Sequence, residues 1–574
     1  MQPNNKLSVY FHSISTDHNQ ALSWLFFISA SLIFIGLGLR DPWPADEPRF
    51  ALIAKEMVAT GQWFFPARAQ ELYPDKPPIF MWSIAVFYWL FGSIKFTFLL
   101  PSALSGLLTT YLVYDIGRKL WSVKTGFIAA LLLIFSLQFM LQAKTAQIDA
   151  MVCAWITLGC YGFLRFMLYD GKWLWCFIAW FFMGIGVITK GVGFLPILML
   201  IPYITWQWFV RKENLTVKVS NKWRWALGPF IMLFAIALWF VPMLWLVDQS
   251  HNPFYEVYRD NILFKQTVTR YANSWHHIKP FWYYITSVIP IFWLPLSLAL
   301  PWLIKPWWKA IKQADGRIIL PLGWVILVIL FFSISSGKRG VYLLPALPML
   351  ALITAPYLSS LIKSKGLNWL IWSLVTLISV LLVVLAIAGI AELNFATKLS
   401  QKYNIEPWFF LLSIGALGTL NSVTHYKYQK WQTWPYFIAI LWILYSTWGY
   451  RLLNEPKTPH NIYQQISQLV DTKAEIALVD FSEQFILFSP YRMTHFGYHT
   501  ENHRQLVSAW NWQKLQPNRH VLMNYELIDD CYNKEKAIHL GFAHRVGWVL
   551  LGNDSRLKQC NKPVELLKAY RYGY

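Results

Sequence analysis

Charge is scarce in this chain. Only 14% of its 574 residues are Asp, Glu, Lys or Arg, against 56% hydrophobic residues, a balance that excludes an ordinary soluble globular protein. Acidic residues are the rarer sign, 29 against 50 Lys and Arg, for a net charge of +21. The excess base does not mark a nucleic-acid partner, because it sits in short loops between apolar runs, where orientation by cytoplasmic Lys and Arg puts it. No small-residue cleavage site follows the first apolar run, Trp24 to Leu39, so that run reads as a retained first helix and not a signal peptide. Five cysteines give little: Cys153, Cys160 and Cys176 lie in or beside apolar segments, while Cys531 and Cys560 fall in a polar tail and can pair if that tail is outside the cytosol. The tail has no Gly-rich phosphate loop and no metal-spaced cluster; His495, His499 and His503 are spaced by four, with a Gly between them.

What is present is a recurrence of apolar runs of about 20 residues from Ala21 to Tyr450, the pattern of a polytopic α-helical membrane protein. The runs fall at 22–39, 97–115, 122–142, 149–168, 173–188, 191–209, 225–247, 281–302, 318–334, 341–361, 369–391, 406–422 and 434–450, about thirteen spans. A further piece, Ile79 to Phe91, has about 13 residues and is too short for a full crossing. Leaving it out puts nearly every strongly basic short loop on one side, from Arg118/Lys119/Lys124 to Lys427/Lys430. The exterior then carries the loop Asp41 to Pro78, the turns at Asp149, Lys190 and Ser335 to Gly340, a loop over 248–280, and the tail. Residues 1–452 are thus expected to form a transmembrane domain, and 453–574 a small mixed α/β domain outside.

The exterior charges suggest chemistry. Asp46, Glu47 and Arg49 open a helix, where the acids either cap it at the membrane surface or offer a base with a cation one turn on. Asp75 and Lys76 precede Pro77 and Pro78, which hold the backbone extended; they form either an anchoring ion pair or the mouth of a site. Asp149 and Lys190 lie between apolar runs, where ionisable groups are candidates for function, and Lys144 is a candidate partner for Asp149. Arg270, His276, His277 and Lys279 are mixed with aromatics in the long loop, and Lys338 and Arg339 share a turn with Tyr342. Carboxylates for proton transfer, cations for a phosphate and apolar walls for a lipid chain are the parts needed to move a sugar from a lipid phosphate to a hydroxyl.

In order, the segments DEPRFALIAKEM, YPDKPP, AKTAQIDAM, TKGVGF, TVTRYANSWHHIKPFWYY and FFSISSGKRGVYLLPALP resemble the integral-membrane glycosyltransferases that use polyprenyl-phosphate sugars. The resemblance is to the bacterial lipid A aminoarabinose transferase type within the protein O-mannosyltransferase superfamily, of the GT-C fold. It implies an inverting transferase of the inner membrane with its site facing the periplasm. Its donor would be an undecaprenyl-phosphate-like sugar carrier and its acceptor lipid A or another lipopolysaccharide component, or else protein Ser/Thr or a surface glycan. It implies catalytic roles for Asp46 and Asp149, phosphate contacts from Arg49, Lys76, Lys190, Arg270 and Tyr342, and support from Glu47, Asp75, Lys144 and Lys338. No cofactor is implied as required, although some relatives carry a divalent metal, for which Asp75, His276 and His277 are the candidates here. Lys144 stands where many relatives have arginine, and Arg339 is an added charge in its turn. A transporter or non-catalytic glycolipid-binding protein is the alternative of a different class; transporters place their ionisable groups at mid-membrane, whereas here they collect at one face.

Overall fold

A computed structural model describes residues 17–209, 221–263, 278–560 and 567–573. The described residues form a bundle of apolar helices followed by a six-stranded sheet domain. Six of the helices are long and apolar enough to cross a bilayer: Ile94–Leu120, Ile148–Asp170, Trp173–Lys190, Lys222–Ser250, Gly316–Ile334 and Lys365–Ile390. Counting each of two sharply bent helix pairs as one crossing gives eight among the described residues, fewer than the thirteen expected. The other expected spans are helical but short or interrupted. The first helix, His18–Phe34, ends in 17 residues, and Leu195–Met199 is a tight 3₁₀ segment ahead of Leu200–Phe209. Ile79–Phe91, expected to be too short for a full crossing, is a 13-residue helix.

Backbone groups freed at the bends find partners inside the bundle, as a membrane interior requires. Val123–Ile134 and Leu137–Ala143 meet at 73°, and Tyr284–Phe292 and Leu296–Lys312 at 108°. The two breaks serve each other: the Leu137 N–H donates to the Leu294 carbonyl at 3.1 Å. The Phe135 carbonyl accepts from the Trp434 indole at 2.9 Å. After the first helix, Gly36 takes φ +83° and lies so close to the Ser446 carbonyl that an added Cβ would stand 2.0 Å from it. Only glycine fits both demands.

Lys144 closes the end of that first helix. Its ammonium donates to the carbonyls of Leu32 at 2.8 Å, Ile33 at 3.0 Å and Ile35 at 2.9 Å, groups a helix end leaves without partners. The expectation that Lys144 pairs with Asp149 is therefore corrected: it is a buried capping residue.

The last helical run passes from Thr433–Leu444 through Tyr445–Gly449 to Tyr450–Lys457 and leads into the sheet domain. Its strands are β3 (Glu475–Leu478), β4 (Arg492–His495), β5 (Arg519–Asn524), β6 (Ile538–Ala543), β7 (Val546–Leu551) and β8 (Tyr570–Tyr572), in spatial order β6-β7-β5-β3-β4-β8. β3 lies parallel to β4 and β5, and the outer pairings are antiparallel. Cys531 and Cys560 form a disulfide, while the three bundle cysteines are free and buried.

Lys144→Met is expected to lower folding stability by about 2 kcal/mol, the scale of a lost charge-assisted hydrogen-bond set, measured as the thermal midpoint in detergent. An unchanged midpoint would show that the cap carries no load.

Candidate active site

The helix Asp46–Thr60 begins beside the chain's exit from the first span, with Asp46 and Glu47 in its first turn. The two neighbours do different things. Glu47 is buried and pairs with Arg40; its carboxylate also accepts the N–H groups of Trp43 at 2.8 Å and Ala146 at 2.9 Å. It is a structural joint, not a base open to substrate. Asp46 keeps a quarter of its side chain exposed and lies between two guanidiniums, 3.5 Å from Arg49 and 3.8 Å from Arg339.

Asp149, at the start of Ile148–Arg165, pairs with Lys190 at the end of Trp173–Lys190. The same ammonium lies 4.9 Å from the centre of the Tyr342 ring. Arg339 and Tyr342 belong to one turn, so that turn reaches Asp46 with one residue and the Asp149–Lys190 pair with the other. The turn is fastened from behind. Lys338 is buried and donates to the carbonyls of Lys279 and Ser335, Gln138 donates to the Gly340 carbonyl at 3.0 Å, and Ile278 bridges Gly337. Lys338 thus shapes the turn from its inner side.

The loop between the helices Asp46–Thr60 and Ile79–Phe91 carries the hairpin of β1 (Ala67–Arg68) and β2 (Glu71–Leu72). Tyr73 follows, and burial raises the pKa of its hydroxyl, on which the charges of Arg49 and Asp75 act in opposite directions. Asp75 and Lys76 come next, half-buried, immediately before the helix Ile79–Phe91. Arg270, His276 and His277 lie outside the described residues. Among the described residues no group of three His, Cys, Asp or Glu side chains is arranged to hold a metal.

Sequence reasoning missed three participants. Arg40 organises the loop's start; Glu56 and Glu483 hold its far part. The Glu56 carboxylate accepts the Gln70 N–H at 2.7 Å and so supports the hairpin, whose turn residues Ala69 and Gln70 both have positive φ. Glu483, in the sheet domain, accepts from Arg49 at 2.6 Å and from Arg68 at 3.1 Å.

Residues 21–251 match the family model of dolichyl-phosphate-mannose-protein mannosyltransferase. The chain is 31% identical over 342 residues to undecaprenyl phosphate-alpha-4-amino-4-deoxy-L-arabinose arabinosyl transferase 1 of Pseudomonas fluorescens, covering 58% of each chain. It is 29% identical over 338 residues to the corresponding protein of Erwinia tasmaniensis, covering 56% of each. The crystal structure of ArnT from Cupriavidus metallidurans bound to undecaprenyl phosphate has the same fold, with a TM-score of 0.72 and 20% identity over 94% of this chain and 99% of that one. The chain shares the fold of that structure, and its first part resembles the mannosyltransferase family. Its sequence match spans little more than half the length of the curated relatives, while the fold shared with the ArnT structure takes in the sheet domain as well.

Glu56 generates a pH test. Burial pushes its carboxyl up to about 7, against the opposing pull of the Gln70 and Ala69 N–H groups. The folded chain then keeps a proton that the unfolded chain has already released, so stability is lost as pH rises from the ordinary carboxylate range to about 7 and levels off above it. Glu56→Gln is expected to flatten that slope and to add on the order of 2 kcal/mol at mildly alkaline pH, read from melting midpoints across the range. A slope that persists in the variant would assign it to another group.

Proposed function

We propose that this protein transfers a sugar from a polyprenyl-phosphate carrier to lipid A or another lipopolysaccharide component, at the periplasmic face of a bacterial inner membrane. One observation carries the reading: the turn Arg339–Tyr342 gathers Asp46, Arg49, Lys190 and Asp149 at the face where the sheet domain sits. The likeness of residues 21–251 to the mannosyltransferase model and the shared ArnT fold support the donor class, the relatives named for undecaprenyl phosphate-aminoarabinose supply the choice of carrier, and the acceptor follows the motif resemblance.

Asp46 takes the proton of the acceptor hydroxyl. The hydroxyl oxygen forms its bond to the anomeric carbon as the sugar–phosphate bond breaks, and that electron pair leaves on the phosphate. The displacement is single and inverts the anomeric centre. Arg49, Lys76, Lys190 and Arg270 stabilise the departing phosphate, with the Tyr342 ring beside Lys190. Asp149 holds Lys190 in place until the phosphate competes for it. The donor's phosphate ester carries the activation, so the reading calls for no nucleotide. In the bilayer, the short and bent helices complete a set of about thirteen crossings, and residues 453–574 form the periplasmic domain.

The match to a protein mannosyltransferase model favours one second reading, with protein Ser or Thr as acceptor. Mass spectrometry of lipid A from a deletion strain separates the two, since unchanged lipid A with altered glycoproteins supports the second. For either acceptor, Asp46→Asn is expected to stay folded and to lose turnover by about a hundredfold or more in assays of purified protein with polyprenyl-phosphate sugars. Undiminished turnover would remove Asp46 from the role of base.

A further inference from the structure

Glu483 stands in the sheet domain, 434 positions beyond Arg49, yet one of its oxygens accepts from both the Arg49 Nε and an Arg68 terminal nitrogen. The Glu483 and Arg68 side chains are buried, and Arg49 keeps 18% of its side chain exposed. Arg68 does not depend on this carboxylate for its position: its guanidinium lies 3.6 Å from the centre of the Tyr498 ring, with Tyr73 at 5.3 Å and Phe481 at 5.4 Å. Apart from Glu483, Arg49 meets the buried Tyr73 hydroxyl, a distant ring, Tyr498 at 5.9 Å, and Asp46 in a loose approach at 3.5 Å. The Glu483 bond to Nε is therefore the short contact that sets the plane of the Arg49 guanidinium and turns its terminal nitrogens towards Asp46.

The charges point the same way. One carboxylate shared by two guanidiniums leaves a cationic excess, and Asp46, the further acid that Arg49 reaches, is itself also approached by Arg339. Two arginines, one of them almost wholly buried, against one carboxylate that meets both through a single oxygen make a place where an arriving anion is welcome, because an under-neutralised buried cation is costly. A planar fork held at Nε presents its remaining donors in fixed directions, the geometry that suits a phosphate.

We infer that Glu483 is a positioning residue for the donor phosphate: it orients Arg49 from the sheet domain, so that the site is complete only when that domain is docked. The inference rests on the transferase reading above and extends it to a residue outside the helical bundle.

Purified full-length protein in detergent, with polyprenyl phosphate as the probe and initial rates as the second readout, tests it. Glu483→Gln is expected to weaken polyprenyl phosphate binding about tenfold and to raise the donor KM while the acceptor KM stays unchanged. Glu475→Gln, which breaks a pair with Arg519 elsewhere in the same domain, is expected to leave phosphate binding as it is. In an Arg49→Lys background the Nε is gone, so adding Glu483→Gln should change binding by less than about twofold. Unaltered binding in Glu483→Gln, or losses that multiply with those of Arg49→Lys, overturns the positioning role and leaves the transferase reading in place. Failure of the wild-type protein to bind polyprenyl phosphate overturns that reading and this inference with it. If the amide variant does not fold, Glu483→Asp keeps the charge one methylene further back and should weaken binding about threefold; an unchanged constant there overturns the inference equally.

Discussion

The ion pair between Arg40 and Glu47 is the constraint on which the site depends. Both side chains are almost wholly buried, a situation that stabilises nothing unless the remaining hydrogen-bonding capacity is met. Here it is nearly all met. The Arg40 guanidinium also donates to the carbonyls of Asp41 and Lys144, each at 3.1 Å, and packs against the rings of Trp43, Tyr450 and Phe98. Glu47 adds the N–H groups of Trp43 and Ala146. One pair thus fixes the end of the first span, the start of the loop, the turn before Asp149 and the last helical run against one another. Asp46 is the next residue along the chain, and its place is set by this joint.

The site was legible in the sequence to the extent that charge is rare there. In so apolar a chain, acids and bases between spans stand out, and Asp46, Arg49, Asp149, Lys190 and Tyr342 do meet on one face. Glu47, Lys144 and Lys338, expected in support, lend it as buried structural bonds. An ionisable group near a span reads as functional, but a helix end or a tight turn also leaves carbonyls unpaired, and a buried lysine can satisfy them as well as water can. Sequence spacing does not separate these uses. Lys144 differs from Lys190 only in whether an acid or three carbonyls lie within its reach. Glu483 had no local signal, because its partners lie more than 400 positions earlier. Of the helices, the long apolar ones were plain from their runs. The bent ones depend on distant partners for their freed backbone groups, and no apolar run records those.

The sheet domain adds a physical reason for the long first loop. β3 is flanked by parallel neighbours on both sides, so the chain leaves its carboxyl end in one direction and returns to it from the other. In open α/β sheets that point makes a crevice beyond the strand ends where ligands are commonly held. The residues leaving β3 are Phe481 and Glu483, and those leaving β4 are Gly497 and Tyr498. Into the space between them comes the β1–β2 hairpin of the chain's own loop. Arg68 reaches Glu483 and the Tyr498 ring. The Ala69 carbonyl accepts from the His495 ring at 2.8 Å, and the Glu71 carboxylate accepts the Tyr498 N–H at 2.7 Å.

His495 shows how settled that contact is. Burial, set against the bond to Ala69 and reinforced by the charge of Arg68, holds its imidazole down at about 4, so the ring stays neutral and keeps one N–H for the hairpin across the ordinary range of pH. The hairpin takes the position a ligand would take in such a domain, and its supports are polar and directional, whereas bulk apolar burial would let it slide. A loop held this way passes order from the sheet domain to Arg49 and Tyr73, and from the Arg40–Glu47 joint to Asp46. In the proposed reaction, the donor's phosphate and the acceptor's hydroxyl would meet between these two anchors, one at each end of the same loop.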